Sequence, residues 1–405
     1  SMGLKGSQFL SSVSDDLDTA LQAQAARLLS PDKRKSDKAL RRFTIREVAD
    51  ICLRTNYNSL RNYLRSVPGL PEGILEAGNR RTFSLEEVHE LQEKLFEAGK
   101  LPADTFPRRM DHEKPVRVSI FNLKGGVSKT TLTVNLAEGL ACRGYRVLIV
   151  DVDPQASCSD MLDVQADLDH LPSLYDVLRY PDAQSGEGPI PIIDAVQATY
   201  FPNIDLVPGS IGLTEFEYET SLAASRGTPF YSRISDALST IEDAYDVILF
   251  DTPPHMSFAV IAALYASDGL LIPLSAGMLD VVSLVKFTDL ASVTLDSIEN
   301  VVPDKEFDFM RLVLTRYSPN DAAQLQLSSF LRAALGNRML QTDFLSSTAI
   351  ADAGNTMNPL LEVEPASFNR KTYDRILESV QGIVHEIEDE IMRARGRKRA
   401  EQGAV

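Results

Sequence analysis

One segment of the chain combines small residues with two lysines and paired threonines: Lys124-Gly125-Gly126-Val127-Ser128-Lys129-Thr130-Thr131. Small residues let backbone N–H groups surround phosphate oxygens, a lysine can contact the β- and γ-phosphates, and a hydroxyl can bind Mg²⁺. Lys129 and Thr130 have the residue types for the last two roles. The usual spacing of such a loop has glycine where Leu123 and Ser128 stand. The segment alone is therefore a weak signal.

Two further motifs place carboxylates directly after apolar runs. In the first, Val150-Asp151-Val152-Asp153-Pro154-Gln155-Ala156, one aspartate is expected to meet a nucleotide and the other to form the turn. In the second, Asp251 ends an apolar run and precedes Thr252-Pro253-Pro254, which is typical of a Walker B strand whose acid contacts the Mg²⁺ shell. An aspartate at one strand end often serves only as a cap. The phosphate-loop segment followed by these two acidic strand ends, in this order, favours a nucleotide site.

The spacing of apolar runs predicts the fold around these motifs. Five short runs read as strands buried on both faces: Val116–Phe121, Val147–Val150, Asp246–Phe250, Leu270–Ile272 and Leu312–Leu314. Helical patterns lie between them, so the prediction for residues 116–395 is a mostly parallel, doubly wound α/β sheet of the P-loop NTPase type. In such sheets a nucleotide binds at the carboxyl ends of the strands.

Residues 41–100 predict a small helical domain with a basic face. Two helices, the first capped by Thr44, are separated by a break at 54–56, and the polar side of the second carries Asn58, Arg61 and Arg65. A basic stretch with Arg80 and Arg81 follows, and then another helix. Residues 33–65 hold 10 Lys and Arg against 3 Asp and Glu, although the net charge of the chain is −16. This combination favours a winged helix-turn-helix that binds DNA; a small helical domain with a solvated basic face is the alternative.

The remaining segments are predicted to connect or extend these two domains. Residues 1–40 comprise an amphipathic helix and a linker, and the helix serves as a dimerisation arm or packs on its own domain. Residues 101–115 are predicted to be a second linker, and residues 396–405 a basic, disordered tail. The 3 scattered cysteines fit a reducing cytoplasm, and no apolar stretch is long enough to span a membrane.

The three nucleotide motifs together resemble those of the deviant Walker ATPases, specifically the ParA partition proteins. The preceding winged domain is similar to that of the large plasmid ParA type. The C-terminal stretch 347–373 is similar to the RepA partition proteins of repABC replicons. The resemblance extends over residues 40–395.

This resemblance implies an ATP-dependent homodimer that segregates DNA. Residues 124–131 would bind ATP or ADP, with Thr130 and Asp251 at Mg²⁺. Lys124 would reach the phosphates across the dimer, and Asp151 would polarise the attacking water during slow hydrolysis to ADP and phosphate. The family also implies a ParB-like partner, nucleoid association, repression of its own operon through operator DNA, and nonspecific DNA binding. Arg370, Lys371 and Arg375 are the candidates for the nonspecific contact.

Two other functions stay open at this point. A membrane-positioning ATPase resembling MinD would end in an amphipathic membrane helix. The last predicted helix has such an apolar stripe, but its polar face carries Glu386, Glu388, Asp389 and Glu390, and anionic lipid would repel that face. A transcription regulator that uses ATP only as a ligand is the second alternative, which the winged domain supports in part.

Overall fold

The computed structural model describes residues 5–28, 38–124, 128–275, 281–302, 305–316, 320–345 and 358–397. The chain starts with helix α1, Gly6–Leu28. All side chains of residues 5–20 are exposed, and they include four large apolar ones: Phe9, Leu10, Val13 and Leu17. One interpretation of the sequence was that this helix packs on its own domain. The exposure of residues 5–20 shows that this part of α1 does not.

The next unit, at the position of the predicted winged domain, contains two helices joined by a short turn, a small three-stranded sheet and a further helix. Its elements are β1 (Phe43–Thr44), α2 (Ile45–Glu47, continuing as a π-helical segment over Val48–Leu53), α3 (Tyr57–Ser66), β2 (Ile74–Glu76), β3 (Arg80–Phe83) and α4 (Leu85–Glu97). Thr44 and Glu47 form a capping box at the start of α2, and Asn56 caps α3. The left-handed backbone of Arg54 (φ 49°) makes the turn between the helices. The strands pair in the order β1-β3-β2.

A larger sheet carries the rest of the chain. Its eight strands are β4 (Val116–Ile120), β5 (Val147–Asp151), β6 (Gln197–Ala198), β7 (Ile204–Val207), β8 (Val247–Asp251), β9 (Gly269–Ser275), β10 (Phe309–Arg316) and β11 (Phe344–Leu345). They lie in the order β11-β10-β9-β4-β8-β5-β7-β6. Every pairing is parallel except that of β6 with β7. The predicted parallel α/β fold is confirmed.

Helices cover both faces of this sheet. They are α5 (Lys129–Cys142), α6 (Ser157–Met161), α7 (Ala166–Asp169), α8 (Leu174–Leu178), α9 (Gly212–Ser225), α10 (Arg233–Leu238), α11 (Phe258–Ala266), α12 (Val281–Glu299), α13 (Ala322–Leu335) and α14 (Arg370–Ala394). Buried side chains of α5 and α14 belong to one core cluster, and those of α11 to the other. The sheet is therefore a buried central layer, which explains why its longer strands are continuous apolar runs.

The winged domain and the sheet domain share one hydrophobic core. The core cluster that contains Leu60 of α3 also contains Val118 of β4 and Ile387 of α14. Polar contacts reinforce this interface at the end of α5: His89 Nε2 lies 2.7 Å from Ala141 O, and Gln92 Nε2 donates to Arg143 O over 2.6 Å. The two domains therefore pack as a continuous body.

Glu388 of α14 joins both domains through buried charges. Its carboxylate lies 3.2 Å from Arg54, at the turn of the winged domain, and 3.1 Å from Arg143, and it accepts a 3.1 Å hydrogen bond from Tyr145. Glu390 pairs with Arg311 at 2.8 Å. Both acids are buried, although the sequence places Glu388 and Glu390 on the polar face of this helix.

Two segments that the sequence presents as flexible are held by specific contacts. In the predicted linker 101–115, Arg109 N donates to Asp246 Oδ1 over 2.7 Å, and Glu113 is buried. Glu113 pairs with Arg397, and the Arg397 guanidinium also donates to Arg108 O over 2.9 Å. Residues 396 and 397 are thus not a disordered tail, because a buried carboxylate fixes Arg397. Residues 398–405 lie outside the described part.

Replacing Glu388 by Gln is expected to lower the free energy of unfolding by about 3–5 kcal/mol, because it leaves buried guanidinium groups without their counter-charge. Urea unfolding followed by circular dichroism measures this change. Glu378→Gln, at an exposed position of the same helix, is the control and is expected to stay within about 0.5 kcal/mol. Equal stability of the two variants would contradict a structural role for the Glu388 cluster.

Candidate nucleotide site and DNA-binding surface

The three sequence motifs meet at the carboxyl edge of the large sheet. Strand β8 lies between β4 and β5, with Asp251 in register with Ile120 on one side and with Asp151 on the other. Thr252 Oγ1 donates to Ile120 O over 2.7 Å, which fixes the start of the loop after β8. Neighbouring parallel strands thus bring the two acidic motifs together beside the phosphate loop.

Asn122 organises the beginning of the phosphate loop. Its side-chain oxygen accepts a 2.7 Å hydrogen bond from the backbone N–H of Lys124, and its backbone oxygen accepts one of 2.8 Å from Lys129 Nζ. Lys124 is exposed, whereas Lys129 is buried. The middle of the loop, Gly125, Gly126 and Val127, lies outside the described residues.

Two loops at this edge contain non-glycine residues in the left-handed conformation. Ser128 (φ 59°) directly precedes α5, and Ala156 (φ 56°) directly precedes α6. Glycine adopts such angles at little steric cost, whereas a Cβ atom raises the energy by about 1–2 kcal/mol. Ser128 therefore occupies a position that favours glycine, which explains the departure from the usual motif as a tolerated strain.

Two hydroxyl groups of α5 hold the carboxylate of Asp251. Thr130 Oγ1 donates to one carboxylate oxygen over 2.9 Å, and Thr133 Oγ1 lies 3.2 Å from the other. Thr131, the last residue of the predicted loop, is half-buried, and its backbone oxygen accepts a hydrogen bond from Asn135. Thr130 and Asp251, the predicted Mg²⁺ ligands, are therefore in direct contact.

The buried charges of the site perturb one another. Burial, reinforced by the charge of Asp251, raises the pKa of Asp151 to about 8. Burial also raises the pKa of Asp251 to about 6, with the charge of Asp153 adding to the effect. Burial lowers the pKa of Lys129 to about 8 although both Asp251 and Asp153 oppose it. Burial thus disfavours the charged forms of these carboxylates, and a bound cation would stabilise them.

Asp151 and Asp153 have different surroundings. Asp151 is buried, and one of its oxygens accepts hydrogen bonds from Ser159 N (3.0 Å) and Ser159 Oγ (2.6 Å). Asp153 is only partly buried, and its side chain caps the turn by accepting from Gln155 N over 2.9 Å. Gly209 packs so close to this turn that a Cβ atom would lie 2.5 Å from Asp153 O. Asp153 is thus the more accessible of the two carboxylates.

The residues at this edge fit ATP and Mg²⁺ by their chemistry. A hydroxyl and a carboxylate, Thr130 and Asp251, are the hard oxygen donors that Mg²⁺ prefers. The pKa values raised by burial and by neighbouring negative charge agree with a site for a divalent cation. The N-terminus of a long helix and a lysine beside it suit an anion such as a nucleotide phosphate.

A basic groove of about 790 Å³ lies between helix α3 and the hairpin β2–β3, which is the predicted wing. Four predicted DNA contacts, Arg61, Arg65, Arg80 and Arg81, line it together with Arg46. The fifth predicted contact, Asn58, is exposed on the same helix but is not among the lining residues.

The predicted nonspecific DNA contacts lie at the start of α14. Arg370 and Lys371 are exposed; Arg370 pairs with Asp374 at 3.4 Å, and Arg375 donates to Asn320. Arg370 lines a smaller cavity, which it shares with Arg46 and Arg80 of the basic groove and with four acidic residues: Glu47, Asp50, Glu364 and Asp374. Arg370 therefore lies among acids as well as arginines.

Comparisons with known proteins identify the family of this chain. The family model described as an AAA domain matches residues 116–298. A putative replication protein A from Rhizobium rhizogenes is 37% identical over 95% of this chain and 94% of its own length. The chromosome partitioning protein ParA of Caulobacter vibrioides strain NA1000 is 30% identical over 61% of this chain and 87% of its own length. The chain belongs to the ParA family.

A solved structure resembles this chain over nearly its whole length. A protein described as a partition protein superimposes with a TM-score of 0.64 over 97% of this chain and all of its own length. The two sequences are only 17% identical, so this match supports the fold alone.

Sequence reasoning missed several residues that the structure places at these sites. Asn122, Thr133 and Ser159 each hold a residue of the nucleotide site by hydrogen bonds. A polar residue inside or directly after a buried run was the available signal for Asn122. Arg46 of the DNA groove had no such signal, because only the wing's fold brings it beside Arg80.

Replacing Ser128 by Gly is expected to raise the free energy of unfolding by about 0.5–1 kcal/mol, because it removes a left-handed residue with a Cβ atom. Thermal or urea unfolding without nucleotide measures the gain, and Ala156→Gly should show the same sign. Ser232→Gly is the matched control, since Ser232 precedes α10 with a φ of −89° and should not gain stability. A decrease of stability in Ser128→Gly would contradict the strain.

Proposed function

We propose that this protein is an ATP-dependent DNA partition ATPase. The observation that carries the proposal is the convergence of Lys129, Thr130 and Asp251 at the carboxyl edge of the sheet, beside the exposed Lys124. Bound Mg²⁺ would neutralise charge on the β- and γ-phosphates. The chain's own residues then position the phosphates, because phosphoryl transfer needs mainly orientation and charge stabilisation.

The lysines have separate roles in this proposal. Lys129 holds the β- and γ-phosphates of its own nucleotide, since it is buried at the start of α5. Lys124 points to solvent from a loop that Asn122 fixes, so it can reach the nucleotide of a second copy. Hydrolysis then depends on an ATP-bound homodimer.

The geometry supports Asp153, and not Asp151, as the carboxylate that positions the attacking water. A group that orients water must approach it within hydrogen-bond distance, and Asp153 is the partly exposed carboxylate of the pair. Asp151 is buried, and its hydrogen bonds with Ser159 stabilise the loop that follows its strand. This assignment replaces the role that the sequence alone suggested for Asp151.

The remaining parts of the proposal concern partners. The winged domain binds operator DNA and represses the operon, and the basic start of α14 adds nonspecific DNA binding by the ATP-bound dimer. The protein is cytoplasmic and associates with the nucleoid. A ParB-like protein stimulates hydrolysis and thereby releases the dimer from the nucleoid. The names of the relatives, a replication protein A and a chromosome partitioning protein, support this role.

The membrane alternative requires the last helix, α14, to be available as an anchor. None of the described helices is both long and apolar enough to cross a membrane. The apolar stripe of α14, with Ile383 and Ile387, is buried in the core and not free to insert into lipid. A regulator that uses ATP only as a ligand is the second alternative; both functions require charges arranged for phosphates and a metal, so ATP hydrolysis is the property that separates them.

Substitutions in the nucleotide site are expected to separate binding from hydrolysis. Lys129→Gln should weaken ATP binding about 100-fold, since it removes a charged contact worth about 3 kcal/mol. Asp153→Asn and Lys124→Gln should retain ATP but reduce turnover by about 100-fold or more. Isothermal titration with ATP and Mg²⁺ and a phosphate-release assay measure the two effects.

Asp151→Asn is the comparison that tests the assignment. We expect it to lower stability more than Asp153→Asn does, because Asp151 is buried. Full turnover by Asp153→Asn would contradict the proposed role of Asp153. Wild-type protein that binds ATP without any hydrolysis, with DNA and a ParB-like partner present, would instead favour the regulator.

Removing Arg61 and Arg65 together is expected to weaken binding to any duplex DNA. The slope of log K against log salt concentration should fall by about 1 for each phosphate that an arginine no longer neutralises. Fluorescence anisotropy at several salt concentrations measures both quantities. Arg226→Ala, at the exposed position directly after α9, is the control, and equal effects of the two changes would contradict the proposed groove.

A further inference from the structure

The wing presents large aliphatic side chains in a basic surface. Ile74 and Leu75 are 52% and 59% exposed on the three-residue strand β2. Single exposed aliphatic residues are common in proteins, but here two adjacent ones lie beside the arginines of the candidate DNA groove. Arginines contact phosphates without help from aliphatic side chains, so the position of Ile74 and Leu75 calls for another explanation.

The strand register separates the two side chains. Leu75 lies opposite Arg81 and Ile74 opposite Thr82, and successive side chains of a strand face opposite sides of the sheet. Leu75 and Arg81 both line the groove, and Ile74 does not. The wing therefore presents one aliphatic and one cationic side chain together to whatever enters the groove.

The base of the wing is fixed. Gly73 has a φ of 69°, and a Cβ atom there would lie 2.4 Å from Thr82 O, so the chain enters β2 in close contact with β3. The guanidinium of Arg81 donates to Glu72 O, which ties the two strands together below Leu75. The Leu75–Arg81 pair is thus presented in a defined orientation.

The chemistry of this pair fits the minor groove of DNA. When a recognition helix occupies the major groove, a neighbouring element can reach the adjacent minor groove. Arginine is attracted to the narrow minor groove of A·T-rich DNA, and aliphatic side chains insert at its floor. The 2-amino group of guanine projects into this groove and would block the entry of Leu75. If Leu75 did enter, this amino group would lose its hydration.

A second copy of this chain is a poorer occupant of the same surface. The groove is lined by 5 arginines against 1 glutamate, so two copies meeting through their wings would bring like charges together. Duplex DNA, a polyanion whose minor groove can accept an aliphatic side chain, satisfies both the arginines and Leu75.

We propose that Leu75, together with Arg81, reads the minor groove of bound DNA and makes the protein favour A·T over G·C pairs beside the site of the recognition helix. This inference rests on the DNA binding of the proposed function. It goes beyond that function because it gives the wing a sequence preference, which arginine contacts to phosphates do not provide.

Three duplexes of about 24 base pairs, a little over two helical turns, test the proposal. They contain alternating A·T, G·C or I·C pairs; an I·C pair has the major groove of G·C but lacks the 2-amino group in the minor groove. Anisotropy titrations use the full chain with ATP and Mg²⁺. We expect the A·T and I·C duplexes to bind alike and about tenfold more tightly than G·C.

Leu75→Ala should reduce this difference to about twofold or less, chiefly through weaker binding to A·T and I·C. Ile74→Ala is the matched control and should retain the wild-type ratio. Both residues are exposed, so the fold should be unaffected, and circular dichroism checks this.

The outcomes that overturn the proposal are distinct from those that overturn DNA binding itself. A wild-type ratio in Leu75→Ala, or an I·C duplex that behaves like G·C, would refute the role of the wing while the effect of removing Arg61 and Arg65 persists. If wild-type protein bound none of the three duplexes, both the wing's role and the DNA binding of the proposed function would fail.

Discussion

The structure depends on the burial of helix α5. Of its 14 residues, 12 are buried, and it packs so closely on α14 that a Cβ atom at Gly139 would lie 2.4 Å from Val384. Its first turn supplies Lys129 and Thr130 to the nucleotide site. Its last turn accepts hydrogen bonds from His89 and Gln92 of the winged domain. Because a helix is stiff and this one is enclosed, the distance and orientation between its two ends are fixed. Helix α5 therefore fixes the position of the winged domain relative to the nucleotide site.

The same helix faces an unusual concentration of charge. Asp151 and Asp251 are in register on neighbouring strands, and both are buried. Desolvation raises the pKa of each; the charge of Asp251 adds to the effect on Asp151, and the charge of Asp153 adds to the effect on Asp251. Hydroxyl groups from α5 and Ser159 stabilise the charged forms. Left-handed residues with side chains flank the same site at 128 and 156. Backbone strain and like charges therefore occur together where a cation and phosphates would be bound. Strained residues are commonly found at functional sites of this kind.

The prediction of the fold succeeded where strands were buried on both faces. The five predicted strands exist because an uninterrupted apolar run is compatible with a central parallel strand. The strands that were missed lie toward the sheet edges. Asp205 interrupts the apolar pattern of β7, and β6 and β11 have only two residues each. Local periodicity carries no signal for such short elements, because their pairing partners come from distant parts of the chain.

The sequence by itself determined the chemistry: a lysine and a threonine after a small-residue loop, two acidic strand ends, and arginines on a helix and a wing. These follow from residue type and spacing along one or two elements. Only the tertiary structure decided which carboxylate is accessible, because Asp151 and Asp153 differ in their contacts with Ser159 and Gly209 and not in type. It also decided that residues 101–115 and Arg397 are held by buried charges, since their partners, Asp246 and Glu113, are brought to them by folding and by no local pattern.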